Sequence, residues 1–388
     1  MIPLRPQHFT SHSLNMRFNK YRLILICCWL LVNVSLYFTM GIKYAIDTTR
    51  FDNEATAWTN GTFEFTYHFW YTGYIAILTA SKLIFHSIYL SILFQYIFAF
   101  CSTLLFYQGL SKISKNNRAA FITTLAIIFY IPIQQWNRCL LTESIFISLV
   151  LLFIWGYSIE NKRYKWIALF IVAVAAATVR PNGCILLISC LMMYCGHFIY
   201  YTQKKNIYIL TAASIVFLVY LLNTYTDTFY LFLLNSFNKG EVICGYSGWT
   251  VSIQSVSQND PLTGSITKIF FLFYDHPIES IQLGTYRLLA LWTDLRMYYS
   301  CIHNIFIGIF LCVMYSMACI GFMQYKKIYR ELLWITCSYI GMNSLLIIIT
   351  YADWDGRFLA PLLPIVFIWS GLGINYSIHF LNRKKTAE

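Results

Sequence analysis

Charge is what this sequence has least of. Only 11% of its 388 residues are Asp, Glu, Lys or Arg, against 58% hydrophobic and 19% aromatic; soluble proteins carry about 25% charged residues. So small a stock cannot cover a water-facing surface, which excludes a soluble globular protein and a disordered one. Acid is scarcer than base, with 16 Asp and Glu against 28 Lys and Arg. There is no Gly-rich phosphate cradle, no nucleotide-binding loop, no CxxC pair, no internal repeat and no low-complexity stretch. No small-residue cleavage site follows the apolar run Leu23–Met40, so that run is expected to stay as an uncleaved first span.

What the chain has is apolar runs separated by short basic clusters. Most of the Lys and Arg fall in six: Arg5/Arg17/Lys20/Arg22, Lys112/Lys115/Arg118, Lys162/Arg163/Lys165, Lys204/Lys205, Lys326/Lys327/Arg330 and Arg383/Lys384/Lys385. On a soluble protein the net charge of +12 would point to nucleic acid. Here the clusters alternate with acid-bearing loops, the positive-inside pattern, so no nucleic-acid partner is expected and the clusters are assigned to the cytoplasm. Spans of roughly 20 residues then fit near 23–43, 88–110, 119–136, 144–159, 166–179, 183–202, 207–226, 303–323, 332–350 and 358–381. The predicted fold is an all-α polytopic membrane protein, one transmembrane domain over 1–388, with about ten transmembrane helices and both termini cytoplasmic. Compact loops and the lack of a retention signal favour a bacterial inner membrane.

The first outer loop is expected over 44–87. The run from Tyr74 to Phe85 within it is too short to span and reads as an interfacial helix whose Lys82 snorkels to water. A second, larger outer loop with amphipathic segments is expected over 227–302. Asn60-Gly61-Thr62 is a glycosylation sequon on the outer side. Of the 12 cysteines most lie inside apolar runs and read as small hydrophobes. Cys139, Cys244 and Cys301 fall in outer loops, where a disulfide is an open alternative.

Ionisable groups at the ends of spans are costly and are paired or functional. Four groups qualify. Asp47, Arg50, Asp52 and Glu54 follow the first span; such a carboxylate can act as a general base or hold a divalent ion, or simply line a solvated loop. Arg138, Glu143 and their neighbours Thr142 and Ser144 precede a middle span; Arg138 and Glu143 pair with each other, or Glu143 sits in the favoured first turn of a helix. Arg180 and Asn182 lie in Thr178-Val179-Arg180-Pro181-Asn182-Gly183; Arg180 is placed to hold an anionic head group, or to anchor by snorkelling. Asp353, Asp355 and Arg357 flank Trp354 in a short turn; aromatics beside polar groups suit sugar faces, and also mark any membrane interface.

In order and spacing these residues resemble the GT-C superfamily of integral-membrane glycosyltransferases, which includes the protein O-mannosyltransferases and the aminoarabinose transferases. Asp47-Thr48-Thr49-Arg50-Phe51 is similar to that family's acidic motif after span one. Tyr71-Thr72-Gly73-Tyr74 leads into a segment like its juxtamembrane helix, and Leu141-Thr142-Glu143-Ser144 resembles the start of a middle span. Thr178 to Gly183 is similar to its Thr-Arg-Pro-x-Gly turn. His276-Pro277 with Arg287 and Trp292 resembles a late amphipathic segment, and Asp355-Gly356-Arg357-Phe358 through Pro361 and Pro364 the start of the last span.

The resemblance implies transfer of a sugar from a polyprenyl-phosphate donor to a glycan, lipid or protein acceptor on the outer face. It makes Asp47 the general base, with Asp52 or Glu54 as substitutes. Arg180 and Arg357, and more weakly Arg138, would hold the lipid phosphate. Arg50, Glu143, Asn182, Asp353 and Asp355 complete the expected substrate-binding set. No cofactor is required; a divalent metal stays open because acids are at hand. Two other readings are a transporter or flippase of a lipid-linked or anionic substrate, and a surface-polysaccharide polymerase or ligase. Few ionisable groups at span centres and the lack of a repeat count against the transporter.

Overall fold

A computed structural model describes residues 20–63, 70–202, 227–253 and 265–387. Its regular elements are helices. The chain begins with α1 (Lys20–Met40), α2 (Ile46–Thr59), α3 (Thr72–Phe85), α4 (Tyr89–Ser114) and α5 (Asn117–Phe129). A short α6 (Ile131–Gln134), a 3-10 turn over Gln135–Arg138, α7 (Glu143–Tyr157), α8 (Lys162–Val179) and α9 (Gly183–Thr202) follow. After the stretch 203–226, where the expected span 207–226 lies outside the described residues, come α10 (Asp227–Asn238), α11 (Ser265–Asp275), α12 (Pro277–Thr293), α13 (Cys301–Tyr325), α14 (Arg330–Ile349) and α15 (Leu363–Ala387).

Five of the described helices are long and apolar enough to cross a membrane: α1, α4, α13, α14 and the Leu363–Asn382 part of α15. A sixth candidate is α5 with the Ile131–Arg138 segment, bent by 66° where Tyr130 leaves the helix and Pro132 cannot donate to it. This is an α-helical membrane protein, and its described residues hold fewer spanning helices than the ten expected. The difference lies in the middle of the chain. α7 has 15 residues, about 22 Å, well short of a 30 Å hydrocarbon layer. Twelve of its residues, from Glu143 to Gly156, are buried in protein. It is the bundle's core helix, apolar all round because its neighbours cover it all round. α8 opens with three cations, Lys162, Arg163 and Lys165, and the apolar part of α9 ends at His197.

The interfacial helix expected from Tyr74 to Phe85 is α3. It buries Tyr74, Ile75 and Leu78 and leaves Leu83, Ile84 and Phe85 exposed. Its Lys82 ammonium pairs with Asp52 at 2.6 Å and donates to the Asp52 carbonyl at 3.0 Å. Cys139, Cys244 and Cys301 carry free thiols.

The tightest seam joins α13 and α15. A Cβ at Gly321 would lie 2.0 Å from the Trp369 carbonyl oxygen, and one at Gly373 would lie 1.9 Å from that of Met317. Ser370 donates to the Met314 carbonyl across the same seam. Small residues let backbones close in lipid, where apolar area alone gives little drive to associate.

The bundle has two chemically distinct poles. At one, the end of α4, the start of α5, the end of α13 and α15 meet: Asn116 donates to Asn375, Asn375 to the Ser114 carbonyl, and Tyr329 to the Ile113 carbonyl. Glu331 there accepts both Lys165 and His197. The basic clusters at 112–118, 162–165 and 326–330 belong to this basic pole. The opposite pole gathers the four acid- and arginine-bearing segments.

Candidate functional site

The segments at this second pole are stitched by backbone. Lys43 donates to the Arg138 carbonyl at 3.1 Å, and Leu140 returns a bond to the Lys43 carbonyl at 3.2 Å. Thr48 adds a side-chain bond to the Leu140 carbonyl. The last turn is held the same way: Ala352 donates to the Val242 carbonyl and Cys244 to the Ala352 carbonyl. Beneath lies a buried amide network. Asn33 of α1 donates to Gln134, Asn137 donates to both Asn33 and Gln134, and Ser144 donates to Asn137. Asn137 and Ser144 thereby fix the start of α7, one residue from Glu143.

On this frame five predicted residues form one chain of charge. Glu143, the first residue of α7, has a side chain with no exposed surface. Arg180 Nη1 and Arg357 Nε each stand 2.8 Å from its Oε1. Both are close ion pairs onto an enclosed carboxylate. Arg357 Nη2 then reaches Asp47 Oδ2 at 3.5 Å, and Asp47 Oδ1 lies 3.4 Å from Arg50 Nη2. Asp47 stands in the first turn of α2 and Glu143 in that of α7, where the helix dipole favours a carboxylate. Arg180 terminates α8 and lies between the rings of Phe146 and Phe358, 5.9 and 5.6 Å from their centroids.

The chain runs from interior to surface. Arg180 is 5% exposed and Glu143 fully enclosed, whereas Arg357, Asp47 and Arg50 are 31 to 36% exposed. Three guanidiniums and two carboxylates alternate along it. Glu143 drives the Arg357 guanidinium above its ordinary range, outweighing the opposite pull of burial, and Asp353 and Asp47 add to the effect.

The remaining predicted residues are spread around this chain. Asp355 pairs with Lys43 at 3.0 Å, tying the last turn to the segment after α1. Asp353, buried, accepts the backbone N–H groups of Arg357 and Phe358 and so shapes the turn. Its carboxyl is raised above the ordinary range by burial, against the nearby Arg296 and those N–H bonds. Asp52 faces Lys82 beside an open polar cavity of about 480 Å³ that Thr59 and His86 also line. Glu54 accepts the Trp58 indole N–H at 3.2 Å. Arg138 does not meet Glu143; it donates to the Met40 and Gly41 carbonyls and closes the C-terminus of α1. Asn182 is half-buried, its carbonyl accepting Ile185 in the turn between α8 and α9. Among the described residues no group of three or more His, Cys, Asp or Glu is placed to hold a metal ion.

Sequence reasoning missed Asp294 and Arg296, which lie in the large outer loop. Asp294 is 1% exposed, accepts the Tyr130 hydroxyl at 3.1 Å and stands 3.4 Å from Arg296. Burial raises its carboxyl to about 7, against Arg296. Arg296 donates to the carbonyls of Asp353 and Trp354 and so carries the last turn from below. An Asp and an Arg two residues apart before a Tyr pair were the available signal. Arg287 is fully enclosed and donates to the Glu241, Ile348 and Ile349 carbonyls and to Ser236, which makes it the cap of α14.

Set beside known proteins, the chain matches no family model, no curated protein and no solved structure.

Proposed function

We propose that this chain is a membrane glycosyltransferase of the GT-C kind, moving a sugar from a polyprenyl-phosphate donor to an acceptor on the side opposite its basic clusters. The observation that supports the reading is the charge chain Arg50–Asp47–Arg357–Glu143–Arg180, which brings three guanidiniums and two carboxylates together from four separate segments. A phosphate is what guanidiniums gathered this closely suit. Arg180 and Arg357 offer it planar donors, each meeting Glu143 through one nitrogen. Toward the exposed end, Asp47 is held by two long ion pairs, to Arg50 and Arg357.

The acceptor hydroxyl gives its proton to Asp47 as its oxygen bonds the anomeric carbon. The bond from that carbon to the phosphate oxygen breaks, and the electron pair leaves with polyprenyl phosphate. The growing phosphate charge is met by Arg180 and Arg357. An apolar groove of about 430 Å³ lined by Phe273, Ile281, Leu288 and Ile348 gives an isoprenoid chain a place to lie. The basic pole, where the described chain both starts and ends, is the cytoplasmic one by the positive-inside rule, in a bacterial inner membrane.

The test is to incubate purified protein with a panel of polyprenyl-phosphate sugars and follow free polyprenyl phosphate by mass spectrometry. Wild type is expected to release it, and Asp47→Asn and Arg180→Ala to lose the release while remaining folded. Full release by Asp47→Asn would remove that residue from the mechanism. Movement of an unchanged lipid-linked substrate across vesicles, with no release, would replace the transferase by a transporter.

A further inference from the structure

Three aromatic rings from three different loops meet at the last turn, the one that carries Arg357. Trp354 of the last turn stands 5.3 Å from Tyr246 and 4.9 Å from Tyr298, and Tyr246 and Tyr298 are 5.4 Å apart, centroid to centroid. Trp354 is 41% exposed and Tyr298 37%. None of the three belongs to a membrane-crossing helix. An interfacial belt presents rings from span ends to lipid; these rings instead pack on one another. Their backbone is held hard. The Trp354 carbonyl accepts Arg296 Nε at 3.3 Å and the hydroxyls of Tyr298 and Tyr299, and the Asp353 carbonyl beside it accepts Arg296 Nη2 at 3.0 Å. The Trp354 indole N–H makes no hydrogen bond among the described residues and is left for an outside acceptor.

The polar neighbours complete a pattern. Asp355, next in sequence, and its partner Lys43 leave 38% and 41% of their side chains to solvent. Arg357, two residues further, reaches Asp47. A pyranose ring has a face of C–H bonds, weakly positive, and an edge of hydroxyls. The negative face of an aromatic ring takes the first, and a carboxylate, an ammonium and an indole N–H take the second. A hydrocarbon chain would leave the indole N–H without an acceptor and strip water from the Asp355–Lys43 pair, at a cost.

We propose that Tyr246, Tyr298 and Trp354 form a docking platform for the sugar ring of a carbohydrate acceptor, with Asp355 and Lys43 as its hydroxyl partners. The proposal rests on the transferase reading and narrows its acceptor from glycan, lipid or protein to a glycan. The platform delivers an acceptor hydroxyl toward Asp47, at the exposed end of the charge chain.

The experiment is saturation-transfer NMR on the full chain in nanodiscs, with maltotetraose, cellotetraose and mannotetraose as probes. Transfer from protein aromatic protons to sugar C–H protons is expected for at least one probe. It should fall at least fivefold in Trp354→Ala and in Tyr246→Ala and be largely kept in Trp354→Phe. No transfer to any of the three, or equal transfer in wild type and Trp354→Ala, overturns the platform. So does quenching of Trp354 by a headgroup-labelled lipid that the bound probe does not relieve, since the rings would then face the membrane. Polyprenyl-phosphate release, assayed on the same preparations, separates the two readings. Probe binding without release keeps the platform and removes the transferase; release without probe binding does the reverse.

Discussion

Arg357 Nε stands 2.8 Å from the Glu143 carboxylate, joining the last turn of the protein to the start of its most deeply buried helix. Arg180 approaches the same oxygen from a third segment, so one carboxylate, itself shut off from water, holds two cations.

Removing that carboxylate should therefore cost more than a surface ion pair would. Breaking a buried pair from one side costs about 3–5 kcal/mol, whereas replacing both partners by apolar groups is often neutral. Glu143→Ala is expected to lower the thermal unfolding temperature in detergent sharply. Glu143→Leu with Arg180→Met should recover most of the loss, because Arg357 is near enough to the surface to relax into water. A double variant no more stable than the single one would mean that the pair does more than neutralise charge.

Asp294 sets a pH dependence of stability. Its carboxyl titrates near 7 in the folded protein, raised from 3.8 by burial. In the folded state it holds its proton over a range in which the unfolded chain has already released it, so stability falls as pH rises from about 4 to about 7 and is flat above. The full span is on the order of 4 kcal/mol. Asp294→Asn should flatten this part of the curve in thermal melts across pH; an unchanged slope would assign the dependence to another group.

Gly356 has φ +68°, and a Cβ there would lie 2.7 Å from Asp294 Oδ1. Gly356→Ala therefore meets two obstacles. The left-handed backbone costs roughly 1–2 kcal/mol, and the collision displaces either the turn or Asp294. Adding Asp294→Ala should relieve the second and leave the first, giving a partial recovery of the melting temperature. Complete recovery would show that the backbone at 356 relaxes freely.

The α13–α15 seam gives a cleaner contrast. Gly321→Ala and Gly373→Ala each push a methyl group onto a carbonyl oxygen and should lower the yield of monodisperse protein. Gly341→Ala on α14, where a Cβ meets nothing within 4 Å, should be neutral or stabilising by up to about 1 kcal/mol. Equal behaviour of all three in size-exclusion chromatography would argue that the seam is looser than drawn.

The all-helical membrane character was legible because it depends on composition and run length, both local. So was the gathering of Asp47, Arg50, Glu143, Arg180 and Arg357, because an ionisable group at the end of an apolar run has few tolerable places to go. The pairing was less legible. Arg138 and Glu143 are close in sequence and read as partners, yet Arg138 turns to the α1 carbonyls and Glu143 to two arginines far along the chain. The number of crossing helices was overcounted because apolar character is the same whether a helix is covered by lipid or by protein, as α7 shows. The amide network of Asn33, Gln134 and Asn137 carries no charge and no motif. Only the folded arrangement reveals it.

Two of the stitches at the site are single rungs of parallel pairing, Lys43 against Cys139 and Ile243 against Ala352. A lone rung is made by peptide groups and does not depend on which side chain sits above it. Its register is fixed all the same, since sliding one residue along either segment turns the next side chain to the opposite face. The rungs themselves are thus indifferent to side-chain exchange, and the limits on substitution there come from elsewhere: the positive φ of Gly41, the Lys43–Asp355 pair and the burial of Cys139, Leu140, Val242 and Ile243. A single-residue insertion or deletion between Gly41 and Asp47, or between Ala352 and Arg357, would rotate Asp47 or Arg357 away from its partner while leaving every helix intact. Drift in length, more than drift in composition, is what this pole of the protein cannot survive.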